Sequence, residues 1–159
     1  MLLASSDAIK KYNLKPIAKV KDVAWAGLDP AEMGLGPVYA SSQLMQKHHL
    51  TLDDIDFWEI NEAFAAQVLA CVAAFESDEY CRHYLGLDTA VGKIDINKLN
   101  IDGGAIALGH PVGASGARIV LKMMNILKRT GAKRGMASIC IGGGQGGAML
   151  IENISEVGV

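Results

Sequence analysis

No stretch of this chain stays apolar for the roughly 18–20 residues that a membrane span needs. The opening Met1-Leu2-Leu3-Ala4 is too short to be the core of a signal peptide. Cysteine is scarce: Cys71, Cys81 and Cys140 are the full set, odd in number and without a C-x-x-C pair. That argues against a disulfide framework and against a zinc site, so no metal is expected, and it points to a reducing cytoplasm. A basic stripe is missing too. Fifteen Lys and Arg stand against 17 Asp and Glu, so nucleic acid is not expected as a partner. The nearest basic cluster, Lys128, Arg129, Lys133 and Arg134, reads as a solvated helix end. Internal repeats, low-complexity segments and linkers are absent. What remains is a 159-residue chain, half apolar and a fifth charged, which fits one ordinary domain with a real core.

Glycine, by contrast, is concentrated. Of 18 glycines, 12 fall between Gly103 and Gly147, and they flank Cys140 and His110. A thiol and an imidazole can hold or pass a proton near neutral pH. Glycine beside them lets backbone N–H groups approach a ligand closely, so this region is expected to meet substrate. The run Gly142-x-Gly144-x-x-Gly147 matches G-x-G-x-x-G in form. A dinucleotide site would need a helix directly after it, but Ala148-Met149-Leu150-Ile151 reads as a strand, so the nicotinamide reading fails.

Pattern along the chain predicts an α/β domain. Residues 4–13 read as a short helix and Ile17–Leu28 as a strand with Ile17, Val20, Val23, Trp25 and Leu28 as its apolar positions. Pro37 opens a helix to about His48, and Thr51 caps a brief turn through Asp54. After a strand at 55–60, the segment Ala63–Phe75 has Gln67 as its only polar residue and is expected to be buried all round. Glu76–Asn100 is polar and uneven and reads as a surface insertion with a helix near Asp78–Leu85. A helix with apolar Ile119, Val120, Met123, Met124 and Leu127 runs to Thr130, where Gly131 stops it. Two short strands, Met136–Cys140 and Ala148–Ile151, are joined by the glycine run as a hairpin.

Each candidate residue has a plain reading beside its chemical one. Cys140 is either a small buried hydrophobe or a reactive thiol where a strand meets a glycine loop. His110 is either a loop histidine or, just ahead of a helix start, a general base or oxyanion donor. Asn61 reads as the N-cap of the apolar helix, or as an amide that holds a water or donates to a carbonyl oxygen. His48, His49 and His83 read as surface residues and Cys71 as core.

Three motifs in order are Asn61-Glu62-Ala63-Phe64-Ala65, then Gly103-Gly104-Ala105-Ile106-Ala107-Leu108-Gly109-His110-Pro111 with Gly113-Ala114-Ser115-Gly116, then Cys140-Ile141-Gly142-Gly143-Gly144-Gln145-Gly146. Together they closely resemble the C-terminal half of the thiolases, the acetyl-CoA acyl- and acetyltransferases. The resemblance implies a thiolase-like fold, a mixed β-sheet layered with helices. It implies that residues 1–15 are the tail of a thiolase N-terminal half and 16–159 the C-terminal domain, with 76–100 as an insertion closer to degradative than to biosynthetic members.

It also implies roles. His110 activates a nucleophilic cysteine and helps bind a thioester oxygen. Cys140 is the acid/base at the α carbon of acetyl-CoA. Asn61 holds a water in one oxyanion hole, and the Gly142 N–H lines the second. Met33 and Phe64 match residues lining the pantetheine and acyl pocket. The implied partners are acyl-CoA and CoA, as substrates with no separate cofactor, a thiolase N-terminal half, and further copies in a homo-oligomer. The family's nucleophilic cysteine lies in a serine- and glycine-rich setting in the N-terminal half, and neither Cys71 nor Cys81 has that setting. No turnover is therefore expected from these residues alone. A non-catalytic binding or assembly domain is the alternative, against which stands the presence of both His110 and Cys140.

Overall fold

The computed structural model describes residues 1–154, so the end of the expected 16–159 domain lies outside the described residues. Four strands are present among them: β1 Ala18–Gly27, β2 Phe57–Ile60, β3 Arg134–Ile141 and β4 Gln145–Asn153. They form one sheet in the order β1-β4-β3-β2. β3 and β4 are the glycine-linked hairpin, β1 lies antiparallel on β4, and β2 lies parallel to β3. A parallel pair needs a crossover connection. Here it carries α3 (Ala65–Glu76), α4 (Asp78–Leu85), α5 (Ala105–Leu108) and α6 (Val112–Thr130). Ahead of β2 stand α1 (Ser6–Tyr12) and α2 (Gly36–Lys47).

Strand alternation divides the core between the two faces of the sheet. Met136, Ala148 and Leu150 join Trp58 and Ile60 in a cluster with Val38 and Leu44 of α2 and Val68 and Phe75 of α3. Ala137 and Ile151 point the other way, onto Ile119, Val120, Met123 and Leu127 of α6. The i, i+3, i+4 spacing of those α6 residues forms its apolar stripe. α6 ends where Gly131 takes φ +74° and returns its N–H to the Leu127 carbonyl. Asn153 at the end of β4 donates its amide to Leu127 and Ala132, tying the last strand to that helix end. α2 begins in backbone contact with β4: a Cβ on Gly36 would come within 2.7 Å of Gly146 Cα, so the approach needs glycine.

Several expectations are corrected. The apolar helix is not buried all round: α3 buries Gln67, Val68, Cys71, Ala74 and Phe75, while Ala66, Leu69, Ala70 and Ala73 are exposed, Leu69 at 63%. An outer-layer helix has a protein neighbour on one side, and no described residue covers the other. β1 is also open on one side: its Val20, Val23 and Trp25 are exposed, as is Ile17 just before it, while the smaller Ala26 is buried. Asn61 does not cap α3; Phe64 stands at that N-cap, and Asn61 instead extends β2 by donating its N–H to the Ser138 carbonyl. His48 is not a free surface side chain, since its Nε2 lies 2.7 Å from Asp22 Oδ2, an atom that also takes Lys47 Nζ. The 76–100 segment, mostly exposed or half-buried, is held at Cys81, Ile94 and Leu99, which are buried, and Leu99 bridges to Trp58. α5, four residues long, was not expected.

Candidate functional site

β2 and β3 run parallel, and β2 ends with Ile60 opposite Ser138. Asn61 follows β2 and Cys140 lies two residues further along β3, near the carboxyl ends of this pair, where open α/β sheets bind ligands. Asn61 is buried, its backbone held by Ser138. Cys140 is buried on β3 opposite Gly146, just ahead of the hairpin turn. Burial pushes its thiol upward, so Cys140 rests as a neutral thiol. Cys71 is pushed higher, to about 12, also by burial, and its Sγ donates to the Gly34 carbonyl; it is core, as expected.

His110 reaches Asn61 from the loop between α5 and α6. Asn61 Nδ2 lies 3.5 Å from His110 Nε2. His110 Nδ1 lies 2.7 Å from Ser115 Oγ, and that hydroxyl donates to the Pro111 carbonyl at 3.2 Å. A hydroxyl has one proton to give. With that proton on Pro111, Ser115 accepts from Nδ1–H, and Nε2 faces the Asn61 amide. This network orients the ring. Once Nε2 takes a proton, it becomes a donor that can face an oxyanion.

The hairpin turn is pinned on one side. Gly144 sits at φ +82°, and its carbonyl accepts from Leu28 N–H at 2.9 Å. Gly142, on the other side, is exposed, and a Cβ there would meet nothing within 4 Å. The glycines of this region thus divide: some, like Gly144, serve close backbone packing, and others, like Gly142, border open space. Met33 lies half-buried in the 3₁₀ turn Pro30–Leu35, whose Gly34 touches α3. Phe64, 63% exposed, stands directly before α3. Both lie outside the hydrogen-bonded Asn61–His110 group. Ser115 was not foreseen as a site residue. Its signal was a small polar side chain, buried in the first turn of α6, five residues past the histidine.

A mixed sheet between helices, with an amide, an oriented imidazole and a buried thiol near the strand ends, defines an α/β domain. The family model described as "Thiolase, C-terminal domain" matches residues 14–153, and the chain belongs to that family. It is 43% identical over 152 residues to an acetyl-CoA acetyltransferase of Cupriavidus necator, covering 96% of this chain and 34% of that protein. It is 42% identical over 153 residues to the human mitochondrial 3-ketoacyl-CoA thiolase, again 96% and 34%. Among solved structures, human mitochondrial 3-ketoacyl-CoA thiolase in complex with CoA superposes with a TM-score of 0.78 at 45% identity, over 94% of this chain and 34% of that one. The Bacillus anthracis acetyl-CoA acetyltransferase superposes with a TM-score of 0.79 at 39% identity, with the same coverage. The chain spans about a third of the length of these relatives.

Proposed function

We propose that this domain supplies the acid/base and oxyanion-binding groups of a thiolase that transfers an acyl group between acyl-CoA and CoA, with CoA as substrate and no separate cofactor. In thiolysis, a nucleophilic cysteine from a segment outside these 159 residues attacks the 3-oxo carbon of a 3-oxoacyl-CoA. His110 Nε2 takes the thiol proton. The C2–C3 bond breaks, and Cys140 returns a proton to C2 to give acetyl-CoA. CoA thiol then gives its proton to the Cys140 thiolate and attacks the acyl-enzyme, which releases the shortened acyl-CoA as the nucleophilic cysteine takes its proton back from His110. Splitting the transfer through a covalent intermediate replaces one hard step with two easier ones. Negative charge appears on two oxygens in turn, so two donor sets are required. We assign Asn61, through a held water, with His110 to one and the Gly142 N–H to the other, with Met33 and Phe64 along the pantetheine path.

The observation that carries this reading is the Asn61–His110–Ser115 chain, which orients the imidazole with Nδ1 on Ser115 and Nε2 beside the Asn61 amide. The exposed apolar side chains around it, Phe64, Ile106, Leu108 and Val112, are the surface that we assign to the thiolase N-terminal half. Residues 1–15, whose helix α1 buries nothing, belong with that half. Assembly as a homo-oligomer in the cytoplasm, where the three free thiols stay reduced, completes the proposal. The test is acetoacetyl-CoA cleavage with CoA. The 159-residue chain alone should be inactive, and adding a thiolase N-terminal half should restore turnover. Robust turnover by the chain alone, or stable association with that half without any turnover, would remove this reading.

A further inference from the structure

A set of charged side chains lies directly behind the Asn61–His110 group. Glu59 on β2, two residues before Asn61, is 1% exposed, and its Oε2 lies 3.0 Å from Lys122 Nζ of α6. Lys122 also donates to the Gly103 carbonyl. One helical turn earlier, Arg118 Nη1 donates to the Gly109 carbonyl at 2.9 Å. Residues four apart share a helix face. These two cations therefore hold both ends of segment 103–109, and the next residue is His110.

A carboxylate holds the middle. Glu62 Oε2 accepts from Ile106 N–H at 3.1 Å, and Oε1 accepts from Asn100 Nδ2 at 3.0 Å. Asn100 in turn bonds both the N–H and the carbonyl of Ile60, beside Asn61. Glu59, Glu62, Arg118, Lys122 and Asn61 border one cavity of about 10 Å³. The segment they grip has almost no apolar anchorage: α5 buries no residue, and Ile106 and Leu108 are exposed. A buried ion pair is weak evidence for stability, because desolvation offsets its attraction. What this one does have is a fixed geometry that spans β2, α6 and the histidine loop.

We propose that Glu59, acting through Lys122, is a positioning residue for His110: the Glu59–Lys122 pair and Arg118 clamp segment 103–109 so that the imidazole meets Asn61. Its effect on turnover rests on the thiolase reading above; its effect on the position of His110 does not.

The test uses the 159-residue chain and the ring signals of His110 by NMR, with amide exchange of residues 106–109. Lys122→Met should shift the His110 ring signals and speed exchange at those amides by tenfold or more, with His48, His49 and His83 unmoved. Lys122→Arg should restore both. A folded Lys122→Met with unchanged ring signals and exchange overturns the proposal. If Lys122→Met does not fold, Arg118→Met removes the grip on Gly109 alone and should speed the same amides, and unchanged exchange there overturns it equally. In an activity-restored complex, Lys122→Met should lower kcat at least tenfold with KM little changed. The two ideas separate cleanly. His110→Asn with full turnover sinks the thiolase role even if the clamp holds, while unmoved ring signals sink the clamp even if His110 is essential.

Discussion

Replacing Glu59 with glutamine should remove a falling slope from the stability profile between about pH 5 and pH 8. Burial raises this carboxyl from 4.5 to about 7, opposed by the hydrogen bond and charge of Lys122 and reinforced by Asp102 and Glu62. A carboxyl that is harder to ionise when folded binds its proton more tightly in the native state than in the unfolded chain. Its contribution is therefore fully present below the unfolded value near 4.5 and is lost as pH rises through about 7. At about 1.4 kcal/mol per pH unit, the difference comes to about 3 kcal/mol. Glutamine has nearly the same shape and no charge to bury. Every other titrating group is common to both chains, so the difference between the two profiles isolates Glu59. Urea unfolding at pH 5, 6, 7 and 8.5 should show the glutamine variant gaining about 3 kcal/mol relative to the parent across that range. By thermal scan the relative gain is roughly 6–12 °C for a chain of this length. A flat difference would refute the burial argument. A difference of opposite sign would show that attraction to Lys122 outweighs desolvation.

Gly144→Ala should destabilise the domain by about 2–4 kcal/mol, because φ is +82° and the new Cβ would press on the Leu28–Pro30 backbone; an unchanged urea midpoint would contradict this. Ser115→Ala removes the acceptor that fixes His110 Nδ1–H. It should lower kcat of the restored enzyme by roughly 10- to 150-fold, the worth of about 1.5–3 kcal/mol for a hydrogen bond to a charged ring, and should change the ring tautomer seen by NMR. Cys140→Ser should lower turnover by roughly 10²- to 10⁴-fold with little loss of stability, since the volume is nearly kept; unchanged turnover would take Cys140 out of the mechanism.

The amphipathic elements were legible because their partners are inside the chain. The α6 stripe at Ile119, Val120, Met123 and Leu127, the Gly131 stop and the hairpin across Gly142–Gly144 all follow from local pattern. The one-sided burial of α3 was not, because an apolar side chain reports that it seeks cover without reporting where the cover is. Leu69 and Trp25 are apolar and exposed, 63% and 69%. α5 is one turn long and has no period to read. His110 and Cys140 could be named from their glycine settings. The groups that orient the imidazole could not, since Ser115 and Lys122 meet it, or its loop, only through tertiary packing. Asn61 was found for the motif it opens, but its expected capping role gave way to the ladder bond with Ser138.

The pairing of the first strand with the last has a consequence for synthesis. Ala18 of β1 lies opposite Asn153 of β4, and among the described residues β1 has no other strand neighbour. As the chain leaves the ribosome, β1 emerges early and waits for more than a hundred residues of intervening chain before its partner appears. The β3–β4 hairpin can close within moments of its own translation, so the late step is the docking of an old strand onto a newly made one. A nascent chain stalled before Gln145 would hold α2 and β1 ready but unsheltered. In that window, the edge of β1 that later pairs with β4 is open to holdase chaperones.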